Sequence, residues 1–338
     1  MTTVRLGTRR SVLATTQSRW VAARIREAGG PPVELVELTT TGDVTAAPLA
    51  SLGGTGVFVS MLREALLAGE VDLAVHSLKD LPTAPAEGLV VAAVPVREDP
   101  RDVLVARDDL TLAGLPGGAR VGTGSPRRAA QLRALGLGLD VVDLRGNVDT
   151  RLREVADGRL DAVVLARAGL LRLGRAGEAT DVIDPALMLP APGQGALAVE
   201  CRAGDRRMLA LLASLDDRAT RVCVTAERAV LATLGAGCAA PLGALAELDG
   251  GAGRARLRLR ALVAAVDGSA VVRRSASVPF DADAETTARD LGHDLADQLL
   301  DGGAAELVPR SLALAAAARP SASFRTPPTT ALVREGDQ

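Results

Sequence analysis

The chain has 338 residues, of which 48% are hydrophobic, and its 39 basic and 41 acidic side chains give a net charge of −2. Such a length predicts two or three domains, and the mixed composition predicts a soluble globular protein. Aromatic residues make up only 1% of the chain. Together with the near-zero net charge, this argues against a general nucleic-acid binder, which needs a basic face and stacking platforms.

Targeting and cysteine signals are sparse. No apolar run approaches the roughly 18 residues of a membrane span, and the N-terminal residues do not resemble a signal peptide. We therefore expect a cytoplasmic protein with no membrane partner.

The cysteines, Cys201, Cys223 and Cys238, are too few and scattered for a disulfide framework or a zinc site, and the two histidines are far apart. No metal site is expected.

From the start to about residue 200, short β-type runs alternate with helical patterns. "TVRLG" and "VELVEL" predict strands, "VFVSMLREALLAGE" predicts a helix, and "VDLAVHS" predicts a buried strand. Similar runs continue through "RDVLVAR" and "LDAVVLAR". This alternation is typical of an α/β fold with helices on both faces of its sheets.

Two internal echoes predict two similarly built lobes. "VRLGTRRS" near the start is echoed by "ARVGTGSPRR" at 119–128, and "LLAGEVDLAVHSLKD" by "EVADGRLDAVVLARAG" at 154–169. Segments 94–102 and 189–197, rich in Pro or Gly, would connect the lobes as paired crossovers. This arrangement places a ligand cleft between the lobes, at the carboxyl ends of the strands.

The character of the sequence changes after about residue 215. Two β-type runs around "DGS" predict an antiparallel pair, and "AETTARDLGHDLADQLLDGG" predicts an amphipathic helix. We expect lobe 1 over 1–96 and 196–214, lobe 2 over 100–190, and a small α+β domain over 217–310. The Pro-, Ser- and Thr-rich end, 311–338, is expected to be a partly disordered tail.

The segment "GTGSPRR" gives the strongest local signal for a binding site. Ser125 fits a helix N-cap and Pro126 the first helical position, so the backbone N–H groups of residues 123–125 are expected to point outward. A helix N-terminus attracts anions, and Arg127 and Arg128 add forks suited to carboxylates or phosphates. A capped surface helix with solvated arginines remains the alternative. The segment matches neither a Walker loop nor a G-x-G-x-x-G turn.

Two further strand-to-helix junctions follow the same logic. In "GTRRS", Ser11 fits an N-cap beside Arg9, and in "LRGNVDTRL", Asn147 fits an N-cap between Arg145 and Arg151. Three basic junctions, drawn from both predicted lobes, would converge on one cleft. They predict a polyanionic ligand, and carboxylates fit arginine forks well.

Two single residues stand apart from these junctions. "AVHSLKDLP" contains Lys79, the only lysine of the chain, next to Asp80. Asp80 is either part of a surface ion pair or a cleft carboxylate that stabilises a cation or moves a proton. Cys238, in the glycine-rich "GAGCAAPLG", is either an inert small residue or an exposed nucleophile. His76, Cys201 and Cys223 are expected to be structural.

Taken together, these residues closely resemble the porphobilinogen deaminase family. The matching segments run in order over about 240 residues, and they are "GTRRSVLA", "TTGD", "GGTGVFV", "AVHSLKDLP", "REDPRDVL", "GTGSPRR", "LRGNVDTRL", "DAVVLARAGLLRLG", "LPAPGQGALAVECR", "VTAERA" and "GAGCAAPLG". The resemblance implies two lobes like those of periplasmic binding proteins and a small α+β domain that carries the cysteine.

The resemblance also implies an activity and a cofactor. Members of the family are hydroxymethylbilane synthases, transferases that join four porphobilinogen units head to tail with loss of ammonia, through azafulvenium cations, in tetrapyrrole (haem and corrin) biosynthesis. The chain is primed by a dipyrromethane cofactor linked through a thioether to the cysteine that Cys238 matches. Asp80 would hold the pyrrole N–H groups, stabilise the cation and shuttle protons. We expect a monomer with this small-molecule substrate.

The family pattern assigns carboxylate contacts to a further set of positions, which are Arg9, Ser11, Ser77, Lys79, Thr123, Ser125, Arg127, Arg128, Arg145, Asn147 and Arg151. Weaker candidates are Arg10, Arg172, Gln17 and Gln194. Thr55 stands where the family often has lysine, in a segment expected to form a mobile lid, and this departure puts a cationic lid contact in doubt. Position 10 is arginine where glutamine is common.

Two other classes of protein fit parts of the pattern. A two-lobed binding protein for small anions would share the basic cleft, but the glycine-flanked Cys238 and the missing signal peptide count against it. A nucleotide-dependent α/β enzyme would need one of the two phosphate-loop motifs, and neither is present.

Overall fold

The computed structural model describes residues 2–38, 57–235, 240–250 and 255–307. Within these ranges the chain forms two five-stranded sheets and one three-stranded sheet. Thr55, Cys238 and the predicted tail lie outside the described residues. None of the helices in the described ranges has the length and apolar character needed to cross a membrane.

Lobe 1 is built on a mixed sheet in the order β2-β1-β3-β10-β4. Its strands are β1 (Val4–Arg9), β2 (Val33–Leu38), β3 (Leu73–Ser77), β4 (Leu89–Ala93) and β10 (Leu197–Arg202). β1 pairs in parallel with β2 and β3, whereas β10 runs antiparallel to β3 and β4. β3 is buried along its apolar run, because the sheet is covered on both faces.

Lobe 2 repeats this arrangement in the order β7-β6-β8-β5-β9. Its strands are β5 (Asp102–Ala106), β6 (Arg120–Gly122), β7 (Asp140–Val142), β8 (Ala162–Ala166) and β9 (Asp181–Val182). β6 takes the place of β1, β8 that of β3, and β5 is the antiparallel strand. The strands of the two sequence echoes thus occupy equivalent positions, and the predicted two-lobed α/β fold is confirmed.

The helices of the described ranges cover the sheets. They are α1 (Val12–Glu27), α2 (Val57–Leu67), α3 (Pro126–Ala134), α4 (Val148–Ala156), α5 (Arg167–Arg172), α6 (Arg206–Leu212), α7 (Arg218–Thr233), α8 (Ala284–Asp301) and α9 (Ala304–Leu307). The first six belong to the two lobes, and the last three to the third domain.

The two connections between the lobes lie against each other. The backbone N–H of Glu98, on the first crossover, donates to the carbonyl of Gly195 on the second at 3.2 Å. Gly195 has φ +88°, and a Cβ there would lie 2.3 Å from the Glu98 oxygen. Only glycine fits this crossing, because the position needs both a left-handed backbone and the absence of a side chain.

The third domain packs α7 and α8 against an antiparallel meander of β11 (Leu242–Asp249), β12 (Arg256–Ala264) and β13 (Val271–Pro279). Along "RLRL" at the start of β12, arginines that face outward alternate with buried leucines, as a half-covered sheet requires. At Gly292 of α8, a Cβ would lie 2.4 Å from the Ala226 carbonyl oxygen of α7, so the two helices touch closely there.

Candidate active site

A cavity of about 290 Å³ lies where the two lobes and the third domain meet. Leu231, Ala240 and Leu242 of the third domain close one side of it. Eight of the predicted site residues line the cavity, namely Arg9, Lys79, Asp80, Ser125, Arg127, Arg128, Arg145 and Arg151. Six of these eight are basic, so the predicted convergence of basic junctions on one cleft is confirmed.

The three predicted N-caps are also confirmed. The Ser11 hydroxyl accepts from the Ala14 N–H at 3.3 Å, the Ser125 hydroxyl from Arg128 at 3.5 Å, and the Asn147 amide oxygen from Thr150 at 2.8 Å. Each residue has an extended backbone immediately before its helix, as a cap requires. The caps fix the directions in which α1, α3 and α4 leave the strands behind the cavity.

One detail of the predicted anion site is wrong. The N–H groups of residues 123–125 were expected to point outward, but two of the three are used within the fold: Thr123 donates its N–H to the Val142 carbonyl at 3.0 Å, and Ser125 donates its N–H to the Thr123 hydroxyl at 3.2 Å. Thr123 is buried. The reason is that β6 and β7 stay paired to the end of the strand, so these donors serve the fold.

Four predicted binding residues, Ser11, Ser77, Thr123 and Asn147, do not line the cavity. Ser77 instead exchanges hydrogen bonds with the side-chain amide of Gln17, at 3.1 and 3.3 Å. Three of the four therefore serve as helix caps or as part of the turn structure, and Ser77 supports the end of β3 next to the cavity.

Asp80 lies in a short 3₁₀ turn, Leu78–Asp80, directly after β3. Buried Leu78 anchors this turn, and its N–H donates to the Ala196 carbonyl at 3.0 Å. The Asp80 side chain is exposed to the cleft. Among the described residues that line the cavity, Asp80 is the only carboxylate.

Lys79 extends from the same turn toward the second crossover. Its Nζ lies 3.5 Å from Oε1 of Gln194. Burial lowers the pKa of Lys79 to about 8, with Arg128 adding to the decrease and Asp80 opposing it. The ammonium is therefore charged at neutral pH and loses its charge in the mildly alkaline range.

Asp102, which the sequence reasoning missed, organises the arginines of lobe 2. This fully buried carboxylate accepts from Arg127 Nη1 at 2.7 Å and from Arg128 Nε and Nη2 at 3.0 and 2.8 Å. It also accepts from Gln194 Nε2 at 2.8 Å. Although burial opposes its charge, the two guanidiniums hold the pKa of Asp102 well below the usual range. A charged residue at the start of a buried strand, in "REDPRDVL", was the available signal.

Arg127 and Arg128 are therefore less free than the sequence suggested. They are 3% and 5% exposed, and they also donate to the carbonyls of Leu189 and Val164. Nε of Arg127 is buried and has no hydrogen-bond partner in the described part of the chain. Both arginines face the cavity, but Asp102 offsets one of their two charges.

Arg145 and Arg151 form a less compensated pair at the same cavity. Burial, with Arg128 and Arg145 as neighbouring positive charges, lowers the pKa of Arg151 to about 10. Arg145 contacts Asp143 at 3.3 Å, and Arg151 donates to the Gly146 carbonyl at 2.9 Å. A pKa lowered by like charges marks a place where an anion would be stabilising.

The weaker candidates have structural partners. Arg172 donates to the Gly195 carbonyl at 2.6 Å, and burial lowers its pKa. Arg10 lies 3.7 Å from Glu37 in an exposed pair. Gln194 lines the cavity and joins Lys79 to Asp102, which makes it more central than the sequence indicated.

Other residues singled out in the sequence are buried away from the cavity. His76 lies 3.1 Å from Glu200, which also pairs with Arg63, and these contacts lower the pKa of Glu200 to about 2 against the effect of its burial. Cys201 and Cys223 are buried free thiols whose pKa values are raised by burial. All three have the structural character expected of them.

The third domain is attached to both crossovers through Glu227 of α7, which is fully buried. Its carboxylate pairs with Arg97 at 2.6 and 3.0 Å and accepts from the Gly193 N–H at 2.6 Å. α7 then runs to Thr233, and the chain on both sides of segment 236–239 borders the cavity through Leu231 and Ala240. The fold thus brings the flanks of the Cys238 segment to the basic cleft.

These features define a two-lobed α/β protein with a third α+β domain and a basic interlobe cleft into which Asp80 is exposed. A family model described as "Porphobilinogen deaminase, dipyromethane cofactor binding domain" matches residues 4–210, and its C-terminal counterpart matches 221–301. The chain therefore belongs to the porphobilinogen deaminase family, and the prediction of a transferase of tetrapyrrole biosynthesis is confirmed.

Individual relatives agree with this assignment. Porphobilinogen deaminase 1 of Streptomyces coelicolor is 58% identical over 311 residues, which cover 90% of this chain and 97% of the relative. The porphobilinogen deaminase of Nocardia farcinica is 55% identical over 339 residues, which cover 98% of this chain and 95% of the relative. Among solved structures, immunogenic lipoprotein A from Vibrio vulnificus is similar at a TM-score of 0.41, with 13% identity, over 64% of this chain and 96% of that one. The fold assignment rests on the strand order.

Proposed function

We propose that the cleft joins four porphobilinogen molecules head to tail, releasing one ammonia per addition, and that water then cleaves the finished chain from its primer to give linear hydroxymethylbilane. The observation that carries this proposal is the position of Asp80, the one carboxylate beside six basic side chains among the described residues that line the cavity. Each substrate ring carries an acetate and a propionate. Such rings need cations at their edges and one anion near the ring nitrogen.

Asp80 is the proposed catalytic residue. In each addition the aminomethyl C–N bond breaks, the nitrogen leaves as ammonia, and the methylene carbon bonds to the free α-carbon of the chain end, which gives up a proton. The Asp80 carboxylate would accept the pyrrole N–H and stabilise the positive charge on the substrate ring as ammonia departs. It would also take up and return the protons exchanged during the step.

The basic residues would bind the carboxylates of the rings. Arg9 and Lys79 lie on the lobe 1 side of the cavity, and Arg145 and Arg151 on the lobe 2 side. Arg127 and Arg128, held by Asp102, would contribute a preorganised charge with little movement on binding. Ser11, Ser77, Thr123 and Asn147 would act by fixing the ends of the strands and the starts of the helices.

The residues present also fit a bound dipyrromethane. Its carboxylates would meet Arg145 and Arg151, where burial and neighbouring positive charges leave the cations less compensated than Arg127 and Arg128. We propose that Cys238 carries the group through a thioether, which is supported by the approach of both flanks of its segment to the cavity. When bound, the dipyrromethane supplies the α-carbon that is extended.

We further propose that one chain is the working unit and that it acts in the cytoplasm. Support for a monomer comes from the cavity, which is lined by all three domains of a single chain.

The test is turnover of purified protein with porphobilinogen, measuring ammonia and linear tetrapyrrole separately. The proposal predicts four ammonia molecules per tetrapyrrole. Binding of porphobilinogen without ammonia release would instead indicate an anion-binding protein and would contradict it.

A further inference from the structure

Arg228 of α7 contacts the turn that carries Asp80 from behind. Its Nη1 donates to the carbonyls of Leu78 at 3.2 Å and Leu81 at 2.8 Å, and its Nη2 donates to Pro82 at 2.7 Å. These carbonyls lie on both sides of Asp80 along the chain. One guanidinium therefore holds both ends of the turn, and hydrogen bonds from a charged donor are stronger than those between neutral groups.

The turn borders a pocket on the side that Arg228 contacts. A second cavity, of about 390 Å³, lies behind it and is lined by Leu78, Thr83, Pro85 and Arg228 among others. Within the turn, the Leu81 N–H donates to the Leu78 carbonyl at 3.1 Å. Leu78 and Leu81 pack in a hydrophobic cluster that includes Val224 of α7, and the three bonds from Arg228 add a polar restraint on the backbone carbonyls of the turn.

Arg228 also connects the turn to the third domain. It lies on α7, whose Leu231 borders the interlobe cavity three residues further on, and whose end at Thr233 leads into the segment of Cys238. The helix that precedes the proposed attachment site is thus the same helix that holds the turn of Asp80. A shift of one would be transmitted to the other.

We propose that Arg228 is a positioning residue. It would fix the Asp80 carboxylate relative to the end of the growing pyrrole chain, which the third domain would carry on Cys238. This role is one of positioning and not of catalysis, because the hydrogen bonds from Arg228 to the turn go to backbone carbonyls. The inference rests on the function proposed for Asp80. A displacement on the order of 1 Å in a reacting group can cost about a hundredfold in rate.

The chain offers a matched control in Arg221, which lies two turns earlier on α7 and borders the same second cavity. It pairs with Asp216 and reaches the carbonyls of Val91 and Ala92 in lobe 1 at 3.4 and 3.3 Å, but it does not touch the turn. Arg228→Gln and Arg221→Gln therefore both remove an interdomain arginine, and only the first releases the turn.

The experiment measures two quantities on wild type, Arg228→Gln, Arg228→Lys and Arg221→Gln, with the cofactor-loaded fraction determined by intact mass. Amide hydrogen exchange of residues 77–83 should accelerate in Arg228→Gln and remain unchanged in Arg221→Gln. In the same variant, kcat per loaded enzyme should fall by about tenfold to a hundredfold with KM for porphobilinogen within about threefold. Arg228→Lys keeps the positive charge but lacks the planar fork. Its exchange rate and its kcat should therefore lie between those of wild type and Arg228→Gln.

Unchanged exchange in residues 77–83 of both Arg228 variants, or equal effects in Arg221→Gln, would overturn the proposal. The exchange measurement does not depend on turnover. If wild type released no ammonia, the proposed function would fail, while faster exchange confined to the Arg228 variants would still support the positioning of the turn.

Discussion

Nζ of Lys79 lies 3.5 Å from Oε1 of Gln194, and the amide nitrogen of the same glutamine donates to Asp102 at 2.8 Å. Through this one side chain, the turn of lobe 1 that carries Asp80 joins the buried carboxylate that orients Arg127 and Arg128 of lobe 2. The two faces of the cleft are therefore electrostatically coupled across the crossover, and a change of charge on either side is expected to reach the other.

The first prediction concerns the pH dependence of substrate capture. Lys79 has a pKa lowered to about 8, so its positive charge is present below that pH and is lost as the pH rises through it. We expect kcat/KM for porphobilinogen to decline above about pH 8 in wild type. The guanidinium introduced by Lys79→Arg stays protonated, so that variant should lose this alkaline decline. Profiles of kcat/KM across the neutral and mildly alkaline range provide the check. Identical profiles for wild type and Lys79→Arg would contradict the attribution of the alkaline decline to Lys79.

A second prediction concerns the stability of lobe 2. Asp102→Asn removes the carboxylate between Arg127 and Arg128 and leaves their charges buried without compensation. We expect a loss of about 3–5 kcal/mol in the free energy of unfolding. The control is Asp157→Asn, which removes an exposed partner of Arg159 and should cost less than about 1 kcal/mol. Urea unfolding measures both, and equal losses would show that Asp102 has no special role.

The third prediction tests the crossing of the two connections. Gly195→Ala places a methyl group 2.3 Å from the Glu98 oxygen at a φ of +88°. We expect it to destabilise the protein by about 1–3 kcal/mol. Gly204→Ala, where no atom lies within 4 Å of the new Cβ, should change stability by no more than about 0.5 kcal/mol. Thermal unfolding distinguishes the two, and a neutral Gly195→Ala would refute the close crossing.

The fourth prediction concerns Asp80 itself. Asp80→Asn keeps the shape of the side chain but removes the charge and the ability to take up a proton. Ammonia release should fall by about 10²–10⁴-fold, while the mass of the protein keeps the cofactor increment. Glu87→Gln, an exposed acid beyond the same turn, is the control and should retain full activity. Undiminished turnover in Asp80→Asn would remove this residue from the mechanism.

Local chemistry made much of the fold predictable. Caps at Ser11, Ser125 and Asn147 depend only on neighbouring residues, and the repeated strand-turn-helix segments revealed the equivalent positions of β1 and β6. The resemblance to a known family then gave the class of enzyme. Each of these inferences uses residues that are close in sequence or patterns that many chains share.

Long-range polar partners were not predictable in the same way. Asp102 meets Arg128 across 26 positions and Gln194 across 92, and no local pattern indicates those pairs. Glu227 of the third domain likewise pairs with Arg97 of the first crossover across 130 positions. The sequence therefore suggested that Arg127 and Arg128 were free for ligand, whereas their charge is shared with a carboxylate that only the folded chain brings near.

The most direct test of the central claim is the intact mass of the denatured protein purified from a host that makes porphobilinogen. We predict an increment of two linked pyrroles in wild type, in Cys201→Ser and in Cys223→Ser, and its loss in Cys238→Ser. An unmodified wild-type mass, or an increment that survives in Cys238→Ser, would contradict the account of a primed synthase with its cofactor on this cysteine.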